Sequence, residues 1–130
     1  MEKNVFNFVW MALVTLSITA QATPKIDPQV LVGEWKLDMS PQNKSDNNFA
    51  MMRITSVANQ KLKGTFYREG VSLKNGQLNT QMGTIYGALT SGDNSGSYNT
   101  SFYYDNGKLF GTTHAIERGF LAVWVAERAD

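Results

Sequence analysis

His114 is the single histidine of the chain, preceded by Thr112 and Thr113 and followed closely by Glu117 and Arg118. An imidazole titrates near neutral pH, so this group could serve as a general base or, with Arg118, anchor the anionic head of a ligand. The bland role is a hydrogen-bonded histidine at the rim of a fold. A metal site needs more donors, and the sequence offers no second His, no Cys and no close carboxylate pair. No metal and no cofactor is therefore expected. The serine-hydrolase elbow, the zinc-protease His-Glu helix, the phosphate loop and the dinucleotide fingerprint are all absent, and no catalytic residue is assigned. Asp93 and Asp105, with their Asn and Gly neighbours, read as hairpin turns in which Asx side chains bond their own backbone.

Aromatic side chains are the second group with recognisable chemistry. Tyr67, Tyr86, Tyr98, Phe102, Tyr103, Tyr104 and Phe110 fall on successive β-rich runs, and most are explained by core packing. Alternation puts Tyr98, Phe102 and Tyr104 on one face and Tyr103 on the other, so at least one phenol meets solvent or a partner. Phe66, Tyr86 and Trp124, with His114 and Arg118, are the expected ligand contacts. A carbohydrate platform fits such rings. A nucleic-acid platform lacks its basic patch, because 12 Lys and Arg stand against 11 Asp and Glu.

These residues must be positioned by strands. From Val30 onward, β-rich runs of about eight residues alternate with turn clusters, and helical periodicity is missing. The runs are Val30–Asp38, Phe49–Val57, Leu62–Glu69, Thr84–Thr90, Ser97–Tyr104, Lys108–Ala115 and Phe120–Arg128. The segment Val71–Thr80 is ambiguous, since Asn75-Gly76 is a two-residue hairpin signal and leaves the strand count open by one. Ser40–Asn48 is the longest candidate loop, polar and rich in Asn, and Ser91–Gly96 reads as a turn. Sequential hairpins without crossover helices make an up-and-down antiparallel meander. A meander of about eight strands removes its exposed edges by closing into a small barrel, so the fold class is all-β.

Gly33-Glu34-Trp35 on the first strand resembles the Gly-x-Trp signature of lipocalins and their calycin relatives. Arg128, ending the last strand, resembles the arginine that packs over that Trp in the family. The resemblance implies a barrel closed between its first and last strands, with Gly33, Trp35 and Arg128 in a structural role. Avidin-like proteins of the same group are similar through Leu31-Val32-Gly33-Glu34-Trp35 and Leu62-Lys63-Gly64-Thr65-Phe66. The chain departs from them where biotin would be held: Leu37 stands in place of a ligand-binding Asn and Phe66 in place of a Tyr. The barrel is carried over and the ligand is not.

The N-terminus has its own pattern. Lys3 precedes an uncharged, mostly apolar run from Phe8 to Ala20, and Ala20-Gln21-Ala22 offers small residues to a signal peptidase. About 13 residues of helix span about 20 Å, short of the ~30 Å hydrocarbon core, which disfavours a membrane anchor. The expected organisation is a signal peptide over 1–22 and one barrel domain over 23–130, secreted or periplasmic. Without Cys, neither disulfides nor a lipidated cysteine is available to the mature protein.

A small barrel with Gly87, Ala88, Ala122 and Ala126 on its strands suits non-enzymatic binding of a small apolar or amphipathic molecule. The alternative is a protein-interaction or inhibitory module using its surface, and the third reading is a small barrel enzyme using His114. In the last strand both faces are apolar, so Leu121, Val123 and Val125 either join a second copy in a homodimer or are covered by Ile26–Val30 of the same chain. The exported protein is expected to begin at Thr23. An intact mass that still includes Met1 contradicts that reading.

Overall fold

The computed structural model of the protein describes residues 26–130; the expected leader and its cleavage point lie outside the described residues. A short 3-10 helix, Pro28–Leu31, leads into eight strands: β1 Gly33–Asp38, β2 Phe49–Ala58, β3 Lys61–Tyr67, β4 Lys74–Asn79, β5 Tyr86–Asp93, β6 Gly96–Asp105, β7 Lys108–Ala115 and β8 Phe120–Arg128. Each pairs antiparallel with the next, and β8 returns to β1, so the meander closes into a barrel.

Local chemistry explains where the strands depart from the sequence reading. The first strand begins at Gly33 and not at Val30, because the Asp27 carboxylate accepts a hydrogen bond from the Gln29 N–H at 3.0 Å and Pro28 follows it with φ already set for a helical turn. Asn75-Gly76 is no hairpin. It lies inside β4, where Asn75 takes φ 55° and Lys74 pairs with Thr90 but Gln77 with Ala88, one extra residue on the β4 side. This is a bulge, which uses the same left-handed tolerance as a turn. A Cβ on Gly76 would lie 2.3 Å from the Leu62 carbonyl oxygen, so β3 can approach only a glycine here. β5 runs on through Ser91 to Asp93, and only Asn94 and Ser95 make the turn to β6. Pairing with β6 is worth more to that backbone than a longer loop, and it carries Ser91 into the barrel wall.

One end, the base, is sealed by the 3-10 helix. Leu31 is fully buried there, and the Trp35 indole N–H donates to the Leu31 carbonyl at 2.9 Å. Trp35 pairs across the closure with Arg128, whose guanidinium carbon sits 4.6 Å from the indole ring centre. Arg128 also donates to the carbonyls of Val32, at 2.6 Å, and Val30. First strand, last strand and helix are thus joined at one point. The same packing holds Ile26 and Val30 against the core at the base, and the Gln29 side-chain amide donates to the Val57 carbonyl at 2.7 Å. That segment therefore does not cover the apolar patch on β8, where Leu121 and Val123 remain 60% and 58% exposed.

The strand register arranges the interior in rows. Nearest the base, Tyr104, Leu109 and Ala126 face one another on β6, β7 and β8. The next row is Gly87, Phe102, Gly111 and Trp124 on β5 to β8, glycine alternating with an aromatic ring. A Cβ on Gly87 would lie 2.3 Å from Phe102 Cζ, and one on Gly111 would lie 2.4 Å from Trp124 Cζ2. Each ring lies over the bare backbone of its neighbour, so these small residues mark filled space. Phe66 completes the packing with its centroid 6.2 Å from Trp124. Overpacking a filled core typically costs about 1–3 kcal/mol, so Gly111→Ala should lower stability by that amount and displace the Trp124 ring. Urea unfolding followed by Trp fluorescence tests this, and an unchanged midpoint contradicts it.

Candidate functional site

At the opposite end, the mouth, the interior turns polar. Thr100 and Thr113 face each other on β6 and β7, their hydroxyls 2.9 Å apart, and the Trp124 indole N–H donates to the Thr113 hydroxyl at 3.0 Å. One row further out stand Ser91, Tyr98 and Ala115. Ser91 is buried, and its hydroxyl is the only fully enclosed side-chain polar atom without a partner among the described residues. A buried hydroxyl left unpaired is costly, and among the described residues Ser91 lines none of the clefts, so this cost is carried by the fold.

Tyr67, at the end of β3, covers this layer. Its ring meets Tyr98 edge-on at 5.3 Å and Phe66 at 6.1 Å. Its hydroxyl donates to the Asp93 carboxylate, to which Tyr98 also donates at 3.0 Å, and Arg68 lies 3.3 Å from the same carboxylate. Those donors hold the Asp93 carboxyl below its ordinary value, the Tyr67 bond contributing most. The Tyr67 phenol is pushed well above its ordinary value, first by burial and then by its bond to Asp93. Glu117, in the β7–β8 turn, is likewise held low by the Ser97 backbone N–H, which donates to it at 2.8 Å.

Beside Tyr67 lies a cleft of about 640 Å³. It exists because β1 stops early: Asp38 pairs with Val125, and β8 from Phe120 to Trp124 runs on without a β1 partner. Residues 39–48 bend away instead, tied by Met39 N–H to the Asn48 carbonyl at 2.9 Å and by an Asx turn at Asn43. Phe49, Ala50, Phe120, Ala122 and Val123 make the cleft walls apolar, while Gln42, Asn48 and Arg118 are the polar groups at its edge. Arg118 stacks on Phe120 at 4.8 Å, and Lys36 on Phe49 at 4.1 Å. Among the described residues neither cation is paired with a carboxylate. The edge can therefore receive an anion, and the walls an apolar chain.

The expected contacts are spread over three environments. Arg118 lines the cleft. Phe66 and Trp124 are fully buried in the core, and Tyr86 is exposed on the outer face of β5. His114 points outward from β7, between Asn99 and Leu121, and lines a separate groove with Asn75 and Thr90. The structure does not bring His114 and Arg118 together, and no group of metal-ligating side chains forms among the described residues. Gly33, Trp35 and Arg128 gather at the base, away from the cleft. The Tyr67, Asp93, Tyr98 and Ser91 cluster was missed from sequence. Asp93 has the local signature of a turn, and its partner Tyr67 lies 26 residues earlier, so only the closed strand order reveals the pair.

The Asp93 and Tyr67 shifts each favour the fold within limits. The Asp93 contribution is complete above the ordinary carboxylate value of about 4 and is lost as pH falls through the lowered one. That of Tyr67 is complete below the ordinary phenol value of about 10 and is lost as pH rises above it. Tyr67 should therefore stay un-ionised in the folded protein about one unit above that phenol value, and Tyr67→Phe should remove that lag in phenolate formation. Phenolate absorbance during alkaline titration checks this; full ionisation of all five tyrosines in the native state contradicts it. Comparison with protein families, with curated proteins and with solved structures gives no match.

Proposed function

We propose that the protein is an exported, non-enzymatic binder of a small amphipathic molecule, held in the mouth cleft with its acidic or polar head toward Arg118. The observation that carries this reading is the cleft itself: about 640 Å³, within the range of small-molecule sites, with apolar walls and a polar edge of comparable extent. Gln42, Asn48 and Arg118, which has no carboxylate partner among the described residues, supply the polar end of the complementarity. Interior filling by Phe102 and Trp124 argues for the mouth over the centre of the barrel. The mostly apolar run Phe8–Ala20, followed by Ala20-Gln21-Ala22, supports export.

A second reading, a homodimer through β8, is favoured by the exposure of Leu121 and Val123. The same side chains border the cleft, so one experiment separates the two. Dodecanoate titrated by calorimetry should bind with a stoichiometry of one. Ala122→Trp should abolish the heat by filling the cleft, and Arg118→Ala should weaken binding about fivefold, the scale of one exposed charge contact of ~1 kcal/mol. Dodecanol should bind more weakly than the acid. Absence of both heat and thermal shift with either probe contradicts the reading. A sedimentation coefficient that rises with concentration, and is restored to the monomer value by Val123→Lys, favours the dimer.

A further inference from the structure

The outer face of β5 to β8 has a composition unlike the rest of the surface. Its register places Tyr86, Tyr103, Phe110 and Val125 side by side in one row. The next outward row is Ala88, Ser101, Thr112 and Val123, and the third is Thr90, Asn99, His114 and Leu121. No Asp, Glu, Lys or Arg occurs in any of the three rows, although 18% of the chain is charged. The charges are elsewhere: Lys36, Arg53, Lys61 and Lys63 alternate along β1, β2 and β3.

Two grooves run along this face, of about 410 and 400 Å³, and they share Ser101 and Thr112. The first is walled by aromatic rings. Tyr86 and Tyr103 are 47% and 41% exposed with centroids 6.2 Å apart, and Tyr103 stacks on Phe110 at 5.2 Å. The second is bordered by the Thr90, Ser101 and Thr112 hydroxyls, the Asn75 and Asn99 amides and the His114 imidazole. Apolar rings at one end and uncharged donors and acceptors at the other therefore form one continuous strip.

We propose that this strip binds a neutral glycan chain. A sugar ring presents apolar C–H faces that pack on aromatic walls, and hydroxyls that both donate and accept, which is what Ser101, Thr112 and Asn99 require once water is displaced. A polyanion finds no cation here, so a nucleic acid or an anionic membrane surface is disfavoured. A second copy of the chain is disfavoured for a different reason. Closely packed interfaces are apolar at their centre, whereas the middle and third rows would bury hydroxyl and amide groups against the same groups of the partner. The Leu121 and Val123 column is apolar, but it lies at the edge of the strip nearest the cleft.

The test uses the full mature chain with cellohexaose, chitohexaose and maltohexaose as probes, titrated by calorimetry, and with alginate as an acidic control. At least one neutral hexasaccharide should bind, Tyr103→Ala should weaken it roughly tenfold as for an aromatic anchor, and Ala122→Trp in the cleft should leave it unchanged. Thr112→Glu, which adds bulk and charge where the two grooves meet, should abolish it with circular dichroism unaltered. No heat with any neutral probe overturns the proposal, as does binding of alginate alone. Binding lost in Ala122→Trp but kept in Tyr103→Ala assigns the sugar to the cleft and also overturns it. A concentration-dependent dimer dissociated by Tyr103→Ala would mean that the strip serves self-association instead.

Discussion

The alternation of Gly87, Phe102, Gly111 and Trp124 across four strands is the constraint on which the remaining features depend. A closed barrel of eight strands has an interior just wide enough for side chains to fill. If every inward position of that row carried a large side chain, the wall could not close; if every one were small, the interior would stay open. Removing the Cβ beneath each ring lets Phe102 and Trp124 pack directly against the wall, where an added Cβ would lie only 2.3 to 2.5 Å from their nearest ring atoms. The Trp124 indole then points its N–H at Thr113, and this hydrogen bond marks where the apolar core ends and the polar mouth begins.

From that boundary the chemistry of the two ends diverges. The base is closed by Trp35, Arg128 and the 3-10 helix, and Arg128 spends its donors on the backbone carbonyls of Val30 and Val32. The guanidinium is consumed by the structure and is not available to a ligand. At the mouth the acids are satisfied: Asp93 by two phenols and Ser95 N–H, Glu117 by Ser97, Asp38 by Ser40 N–H at 2.9 Å. The cations Lys36 and Arg118 rest instead on phenylalanine rings. A ring shields one side of a cation without neutralising it, so Arg118 keeps its charge at the cleft edge while the neighbouring carboxylates are held by hydrogen-bond donors.

The all-β class, the meander order and the closed barrel were legible in the sequence, because strand alternation and turn residues are local signals. The last strand, Phe120–Arg128, was read with its observed boundaries for the same reason. Two local signals misled. Asn75-Gly76 has the residues of a hairpin turn, and a bulge asks for the same left-handed backbone; only the position of β3 against Gly76 distinguishes them. Gly87 suggests space in an isolated strand, yet Phe102 from the next strand occupies it. The cleft depends on a difference in strand length between β1 and β8, which lie at opposite ends of the domain sequence. The Tyr67 and Asp93 pair depends on two hairpins folding onto one another. Contacts that arise from closure leave no mark in the spacing of neighbouring residues.

The account stands on the claim that the interior is filled and that a ligand is received only at the mouth. Amide and indole resonances of the isotopically labelled protein, followed during titration with dodecanoate, test it most directly. The account predicts shifts at Gln42, Phe49, Ala122 and Val123, with the Gly87 and Gly111 amides and the Trp35 indole unmoved. Largest shifts at Gly87 and Gly111 would mean that Phe102 and Trp124 swing aside to admit the ligand to the barrel centre, and would contradict it.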